Sequence, residues 1–244
     1  MGPGSVRPQS AEMTPGPGFR YRRNTTGPSR ELVHRFSAFG AADVSDMMNR
    51  LYTMNDAIKP ITPRELRLLG RACTVKVFPG DNLMVHKSLD LANPGDILVI
   101  DASSSTMTAV LGDLVSTKAR HRGIAGVVID GLVRDVDGIL ALGDLPVFAR
   151  GSTPLGPLHR GPGEVNYPVS CGGIVVNPGD VIVGDADGVV VVPQESAEGV
   201  LERLDARAAS AAEYQSAVAR GEFSNAWVDT TLTGAGLEAE PDLE

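Results

Sequence analysis

Two aspartates and one arginine near the middle of the chain have residue types and a spacing that could do chemistry. Asp113 follows Gly112 at a turn, and the pair Arg134-Asp135 closes a stretch that contains the apolar run 126–131. Because a buried strand is predicted between them, both carboxylates are expected at the ends of rigid elements, where they can converge on one divalent cation. Hard cations such as Mg²⁺ or Mn²⁺ prefer carboxylate oxygens and keep several water molecules. The Arg134 guanidinium is a forked donor suited to a substrate carboxylate.

The backbone that follows Leu111 offers a second means of holding an anion. If Leu114 begins a helix, the amides from Gly112 to Val115 lie at its N-terminus, which binds anions without further charge. A cation, an arginine and a helix end together would form a receptor for a 2-oxo acid. Such a site stabilises the enolate that forms when a carbon–carbon bond β to the carbonyl group breaks.

A purely structural interpretation of the same residues is also available. Arg134 and Asp135 could form an ion pair while Asp113 caps the start of a helix. The spacing alone does not decide between the two interpretations. His86 and Lys87, on a predicted helix, are second-tier site candidates whose alternative role is packing or capping.

Apolar periodicity places these residues in a chain of alternating strands and helices. This order favours an α/β fold with partly parallel strand pairing, and the Gly- and Pro-punctuated second half indicates a compact β layer. Helices are predicted over 31–39, 41–52, 82–91, 138–142 and 194–221, and strands over 70–78, 97–101, 126–131, 145–151, 174–176, 181–183 and 189–192.

Composition and charge restrict the class of protein. Hydrophobic residues make up 42% of the chain and the formal charge is −8, which is typical of a globular protein and unfavourable for a nucleic-acid binder. Two cysteines without a CxxC pair give little support for a zinc site or a disulfide scaffold. Without a signal-peptide pattern or an apolar run of about 18 residues, the expected location is the reducing cytoplasm, with no membrane partner.

The two ends of the chain differ in composition from its body. Residues 1–30 are rich in Gly, Pro, Ser and Arg, so they are predicted to form a disordered or extended arm, and the opening Gly-Pro-Gly-Ser has the form of a cloning remnant. Residues 222–244 are predicted to form an acidic tail. The intervening residues 31–221 are expected to fold as one domain.

Several segments together resemble the RraA-like family, which includes the regulator of ribonuclease activity A and metal-dependent 4-hydroxy-4-methyl-2-oxoglutarate / 4-carboxy-4-hydroxy-2-oxoadipate aldolases. The resemblance implies a single-domain swivelling β/β/α fold with N-terminal helices and a long C-terminal helix, assembled as a homotrimer or a dimer of trimers. It covers about residues 31–221. The segments are DNLMVHK, PGDILVID, GDLV, ARHRGIAGVVIDGLVRDV, LPVFARG, PVSCGGIVVNPGD and DADGVVVVP.

The same resemblance implies a role for each candidate residue. The aldolase signature of an aspartate, about twenty residues and Arg-Asp is met by Asp113 and Arg134-Asp135. Asp135 is then expected to bind a divalent cation directly and Asp113 to act on it through a water, while Arg134 grips the substrate. The amides of Gly112, Leu114 and Val115 would bind the pyruvyl group, and Glu213 is the match for a carboxylate supplied by a neighbouring subunit. Some aldolases carry a further acid where this chain has Gly138, which puts the substrate's identity in question.

The resemblance therefore implies a lyase that releases pyruvate from 4-hydroxy-2-oxo diacids by retro-aldol cleavage, with oxaloacetate decarboxylation as a companion activity. Mg²⁺, Mn²⁺ or another divalent cation is the expected cofactor, and a water polarised by Asp113 is the candidate proton carrier. One rival is a non-enzymatic regulator that binds a ribonuclease. Another, a methyltransferase, is disfavoured because the chain lacks the Gly-rich loop that S-adenosylmethionine-binding folds require after their first strand.

Overall fold

The computed structural model describes residues 13–237, apart from the side chain of Ala209. The chain divides between Glu202 and Arg203 into two compact units, which are considered separately. The helices are α1 Arg30–Arg35, α2 Ala41–Met47, α3 Leu83–Ser88, α4 Asp113–His121, α5 Val136–Leu140, α6 Ala197–Ala219 and α7 Ala226–Gly234. The strands are β1 Phe19–Tyr21, β2 Lys59–Pro60, β3 Leu68–Val77, β4 Asp96–Asp101, β5 Ala109–Leu111, β6 Gly126–Asp130, β7 Leu132–Val133, β8 Val147–Ala149, β9 Gly151–Ser152, β10 Gly163–Val165, β11 Val169–Cys171, β12 Ile174–Val176, β13 Val181–Asp185 and β14 Gly188–Val192.

The centre of the first unit is a mixed sheet whose middle strands run in the order β3-β4-β6-β8 and pair in parallel. β4 and β6 are buried along their whole length, as their nearly unbroken apolar sequences predict for strands covered on both faces. On the other edge of β3, β10 and β13 pair antiparallel to it, and β14 forms a hairpin with β13. The turn of this hairpin lies at Ala186 and Asp187.

Alternate residues of the central strands point to two separate cores. Leu98 and Ile100 of β4 face a core shared with α3, α4 and α5, whereas Ile97 and Val99 face a core formed with the strands of the second half of the chain. This alternation follows from the period of two in a β-strand. The layers are thus β/β/α, and with helices before the sheet and a long helix after it, the predicted fold class is confirmed.

A smaller parallel sheet, in the order β5-β7-β9, stands beside the main one. Its strands are only two or three residues long. They run parallel, so their carboxyl ends meet at one edge. The loops that leave this edge contain the residues of the candidate site.

Some boundaries differ from the sequence prediction. α2 ends at Met47 rather than near Tyr52, because Asn49 and Arg50 adopt left-handed φ angles of 56° and 64° that a helix cannot continue through. In the second unit, the region predicted as a tail contains α7, whose first N–H group, at Ala226, is 3.2 Å from the Ser224 hydroxyl oxygen that accepts it. None of the helices in residues 13–237 is long and apolar enough to cross a membrane.

The described part of the N-terminal arm contributes β1, which pairs in parallel with β10. Glu164 of β10 secures it, because its Oε1 accepts hydrogen bonds from the Gly18 N–H at 2.9 Å and from Arg20 Nε at 2.6 Å. Burial raises the pKa of the Glu164 carboxyl, but these hydrogen bonds and the charges of Arg20 and Lys76 outweigh it and leave the pKa below its usual value. The first twelve residues of the predicted arm lie outside the described part of the chain.

Candidate active site

The small parallel sheet brings the two halves of the predicted signature together. Leu111 of β5 is in register with Val133 of β7, and the Arg134 N–H donates to the Leu111 carbonyl at 3.0 Å. The residues that follow these strands, Gly112-Asp113 and Arg134-Asp135, therefore leave the sheet side by side. Ligands bind at the carboxyl ends of parallel strands in α/β proteins because loops with free polar groups gather there.

Asp113 is the first residue of α4 and Gly112 is its N-cap. The Leu114 N–H donates to Asp113 Oδ1 at 2.7 Å, and the Ser116 hydroxyl donates to the Gly112 carbonyl at 2.9 Å. These bonds fix the first turn of the helix and with it the half-buried Asp113 carboxylate. The helix start considered at Leu114 is thus found one residue earlier, at Asp113. A substrate oxygen bound by the Leu114 amide would have to share or displace the hydrogen bond from that amide to Asp113.

Asp135 has the backbone conformation of a constrained residue. Its φ of 53° and ψ of 46° lie in the left-handed region, which few residues other than glycine, asparagine and aspartate adopt. Arg134 Nε lies 3.1 Å from Asp135 Oδ2, and the two side chains are 41% and 45% exposed. An ion pair this exposed contributes little to stability, so the backbone strain is not explained by the pair alone.

Two glycines leave room for the Arg134 and Asp135 side chains. A Cβ atom at Gly112 would collide with Asp135 Oδ2 and lie 3.0 Å from Arg134 Cγ, and one at Gly156 would collide with Arg134 Nη1. The Asp135 carboxylate and the guanidinium thus occupy space that any larger residue would fill. Gly156 lies in the loop after β9, so all three strands of the small sheet contribute to the site.

A cavity of about 280 Å³ opens at this edge of the sheet. Its volume is near the lower end of the roughly 300–1,000 Å³ found for small-molecule pockets. The lining contains the six main predicted site residues and the second-tier candidate His86, together with residues that were not predicted. The lining residues are Asn82, His86, Leu111, Gly112, Asp113, Leu114, Val115, Lys118, Arg134, Asp135, Pro157 and His159.

The donor set at this cavity suits a hard divalent cation that keeps most of its water. Asp113 and Asp135 supply carboxylate oxygens from neighbouring loops, and the space that Gly112 leaves open is occupied by an oxygen of Asp135. Within residues 13–237 no group of three or more His, Cys, Asp or Glu side chains is arranged to hold a metal ion. Mg²⁺ needs no such cage, because it usually binds one or two carboxylates and retains waters for its other positions.

The residue that departs from some aldolases, Gly138, packs directly against Asp113. A Cβ atom at position 138 would lie 2.6 Å from Asp113 Cβ and 2.9 Å from its Oδ2. An acidic side chain there would require Asp113 to move. In this chain the space beside Gly138 is therefore occupied by Asp113.

Three polar residues of the lining were not predicted from the sequence: Asn82, Lys118 and His159. His86 was predicted only as a second-tier candidate. His159 follows β9 by seven positions, in a stretch with no apolar periodicity. Its ring Nδ1 is 2.6 Å from Asn82 Oδ1, across 77 positions of sequence. The only signal in the sequence was a run of glycine, proline and basic residues. Lys87, the other second-tier candidate, instead places its Nζ 4.9 Å from the centre of the Tyr21 ring.

The basic groups around the cavity affect one another. Burial lowers the pKa of His86, and the positive charge of Lys118 and the proximity of His159 lower it further. The rings of His86 and His159 meet edge to face, with centroids 5.5 Å apart. The lowered pKa of His86 disfavours a positive charge on its ring next to His159.

Glu213 lies on α6 beyond the division between the two units, and its side chain is exposed. The cavity-lining residues all fall between Asn82 and His159. A contribution from Glu213 was expected from a neighbouring subunit, and it stays a prediction.

The chain is thus an α/β protein with a cavity at the edge of a small parallel sheet. The chain belongs to the Aldolase/RraA family, whose RraA-like model matches residues 41–191. A relative from Halalkalibacterium halodurans, provisionally named a 4-hydroxy-4-methyl-2-oxoglutarate aldolase, is 41% identical over 173 residues, which are 71% of this chain and 81% of the relative.

Solved structures agree with this assignment. An uncharacterised protein from Pseudomonas syringae pv. tomato has a TM-score of 0.71 at 27% identity, covering 82% of this chain and 97% of its own. RraAS2 from Streptomyces coelicolor, described as an unusual member of the RNase ES inhibitor RraA protein family, has a TM-score of 0.68 at 27% identity, covering 80% and 100%. The family thus contains members named as enzymes and members named as inhibitors.

Proposed function

We propose that this protein is a divalent-metal-dependent lyase that cleaves 4-hydroxy-2-oxo diacids to pyruvate by a retro-aldol reaction and also decarboxylates oxaloacetate. The observation that carries the proposal is the parallel register of β5 and β7, which sets Asp113 beside Arg134 and Asp135 at the mouth of one cavity. The relatives named as aldolases support the substrate class. Both reactions proceed through the same intermediate, the enolate of pyruvate.

The 2-oxo acid end of the substrate is held by Arg134 and by the N-terminus of α4. Arg134 Nη1 lies against Gly156, where any larger residue would collide with it, and the guanidinium can offer a forked pair of donors to a carboxylate or an enolate oxygen. The first turn of α4 adds the positive end of a nine-residue helix. Together they stabilise negative charge as it develops, which is the main requirement of enolate chemistry.

Asp135 and Asp113 are the residues that would hold the cation, Asp135 directly and Asp113 through water. A bound divalent cation would polarise the 2-oxo group and offset the charge of the enolate. The left-handed backbone at Asp135 and the missing Cβ at Gly112 fix the direction of the first carboxylate. The contact of Asp113 with Gly138 fixes the direction of the Asp113 carboxylate.

The direct test is pyruvate release from oxaloacetate and from 4-hydroxy-4-methyl-2-oxoglutarate, measured with Mg²⁺, with Mn²⁺ and after chelation. We expect turnover of both substrates that disappears with the chelator and returns when the cation is restored. Because oxaloacetate decarboxylates slowly by itself with free Mg²⁺, the control is the same mixture with heat-denatured protein. Absence of metal-dependent turnover above that control with either substrate would refute the proposal.

A regulator that binds a ribonuclease is the second candidate, and the similarity to RraAS2 favours it. Leu114, Leu155 and Leu158 are 71%, 56% and 61% exposed, so the region around the cavity also offers apolar side chains to a partner. Titrating the protein into a ribonuclease E assay separates the candidates. Inhibition without any lyase turnover would favour the regulator.

Assembly as a homotrimer or a dimer of trimers belongs to the same proposal, because the resemblance assigns Glu213 to a neighbouring subunit's site. Light scattering measures the assembly directly. A Glu213→Gln variant with lower cation affinity and unchanged assembly would support the assignment. A monomer with full activity would exclude it.

A further inference from the structure

The loop that carries His159 is held in place from both sides. Leu158 donates its N–H to the Gly80 carbonyl at 2.7 Å and accepts from the Asn82 N–H at 3.0 Å, and the Arg160 N–H donates to Asp81 Oδ2 at 2.5 Å. Three hydrogen bonds around one residue are more than a surface turn needs. His159 is thus an exposed side chain on a fixed backbone beside the cavity.

Asn82 determines which nitrogen of His159 carries the proton. The Asn82 side chain is buried, and its Nδ2 donates to the Val110 carbonyl at 2.8 Å. A carbonyl can only accept, so Asn82 Oδ1 is left as the acceptor that faces His159 Nδ1 at 2.6 Å. In the neutral ring, His159 Nδ1 must therefore be the protonated nitrogen, which places the lone pair on Nε2. A neighbouring group that fixes the tautomer is what makes an imidazole an effective proton carrier.

The other polar side chains at the cavity are less suited to take a proton. Asp113 Oδ1 already accepts from the Leu114 N–H, and Asp135 Oδ2 pairs with Arg134. Lys118 and Arg134 supply donors and no acceptor. His86, the other imidazole in the lining, is the weaker base, because burial and the neighbouring Lys118 lower its pKa. Gly138 stands where some aldolases carry a further acid, so no additional carboxylate is available at that position.

We infer that His159, positioned by Asn82, is the general base that removes the proton from the C4 hydroxyl of the substrate. This inference rests on the proposed lyase function. Nε2 takes the hydroxyl proton, the electrons of the O–H bond form the new C4 carbonyl, and the C3–C4 bond pair moves to C3 to give pyruvate enolate. His159 then releases its proton to water, and the enolate gains one proton from water at C3 and becomes pyruvate. With 4-hydroxy-4-methyl-2-oxoglutarate the atoms balance as two pyruvates.

Oxaloacetate provides an internal control for this role. Oxaloacetate has no C4 hydroxyl. Its C3–C4 bond breaks to release carbon dioxide and the same enolate. A base for the hydroxyl is therefore needed for cleavage and not for decarboxylation, whereas cation and Arg134 are needed for both. A variant without the base should separate two activities that share one cavity.

The experiment compares both activities in three variants and in the unaltered protein, with Mg²⁺ present. His159→Gln keeps an N–H donor for Asn82 but has no basic nitrogen, His159→Ala leaves space for added imidazole, and His34→Gln changes an exposed histidine of α1 outside the cavity. We expect both His159 variants to lose aldol cleavage by a factor of about 10² to 10⁴, the usual contribution of a general base. Decarboxylation should stay within about threefold of the unaltered protein, and imidazole should restore part of the cleavage in His159→Ala. His34→Gln should match the unaltered protein.

The possible failures are distinct. Equal loss of both activities would show that His159 supports the cavity or the enolate rather than the hydroxyl proton, and full cleavage by His159→Gln would show that another group is the base. Either result overturns the inference while the lyase function stands. An unaltered protein that catalyses neither reaction overturns the lyase function itself, and the role of His159 with it.

Discussion

Replacing Gly112 by alanine alters the candidate site without removing any of its functional groups. The new Cβ atom would collide with Asp135 Oδ2 and lie 3.0 Å from Arg134 Cγ and 3.2 Å from Asp135 Cγ. The backbone at Gly112 is extended, with φ of −135° and ψ of −161°, so alanine can adopt it without strain. The perturbation is therefore confined to the positions of the two neighbouring side chains.

The expected effects on stability and activity differ widely. Asp135 and Arg134 are 45% and 41% exposed, so both can rotate away at a cost of about 0.5–1.5 kcal/mol for an off-rotamer side chain. For a chain of this size the loss corresponds to a fall in Tm of about 1–6 °C, since 1 kcal/mol shifts Tm by roughly 2–4 °C. A displacement of about 1 Å in a group that orients a substrate can cost about 10²-fold in rate. Activity should thus fall by about two orders of magnitude in a folded protein.

The assay is metal-dependent pyruvate release, with thermal unfolding measured on the same samples. Gly234→Ala is the matched control, because it makes the same change on α7, where a Cβ atom meets nothing within 4 Å. It should keep full activity. If Gly112→Ala turns over within about threefold of the unaltered protein, the side chains of Asp135 and Arg134 are not held where the reasoning requires.

Three further predictions concern single side chains. Asp135→Asn retains a residue that tolerates left-handed φ, so the protein should fold while its Mg²⁺ affinity, measured by calorimetry, falls more than about 100-fold, since outer-shell partners alone contribute about 10–100-fold. An unchanged affinity would exclude Asp135 as a ligand. Arg134→Lys should lower kcat/KM by at least about tenfold, because a hydrogen bond to a charged group contributes about 1.5–3 kcal/mol; equal kinetics would make the guanidinium geometry irrelevant. The pKa of Glu164 is lowered in the folded chain, so its contribution to stability is present above the unfolded pKa of about 4.3 and is lost as the pH falls below it. Glu164→Gln should therefore unfold at a lower temperature than the unaltered protein at pH 7, and this difference should shrink below about pH 4; a constant difference across that range would contradict the assignment.

The sequence was informative where chemistry and local pattern coincide. Asp113 and Arg134-Asp135 each follow a short apolar segment, and the buried runs that became β4 and β6 identify the main sheet. The small sheet was not predictable, since β7 and β9 have two residues each and show no periodicity. Its parallel pairing decides which loops meet, and that pairing depends on tertiary packing rather than on local preference.

The same limitation explains the missed histidine. His159 and Asn82 lie 77 positions apart, and neither segment has a sequence pattern that predicts a hydrogen bond between them. The structure shows the link only because the loop after β9 returns to the start of α3, where Asp81 and Leu158 form an isolated bridge. A histidine in a Gly- and Pro-rich stretch has many possible roles. Its role here depends on a buried amide that the sequence presents as an ordinary asparagine.

The main sheet and the small sheet have different roles, and this difference determines which residues of the protein tolerate substitution. The two hydrophobic cores are formed mainly by the longer strands and the helices packed on them, whereas the candidate site lies at the carboxyl ends of β5, β7 and β9. The exposed residues Pro154 and Leu155 can therefore be replaced with little loss of folding stability, provided that Gly156, His159 and the backbone hydrogen bonds of Leu158 are kept. Under the proposed function, these two positions can be varied to change substrate preference without altering the main sheet.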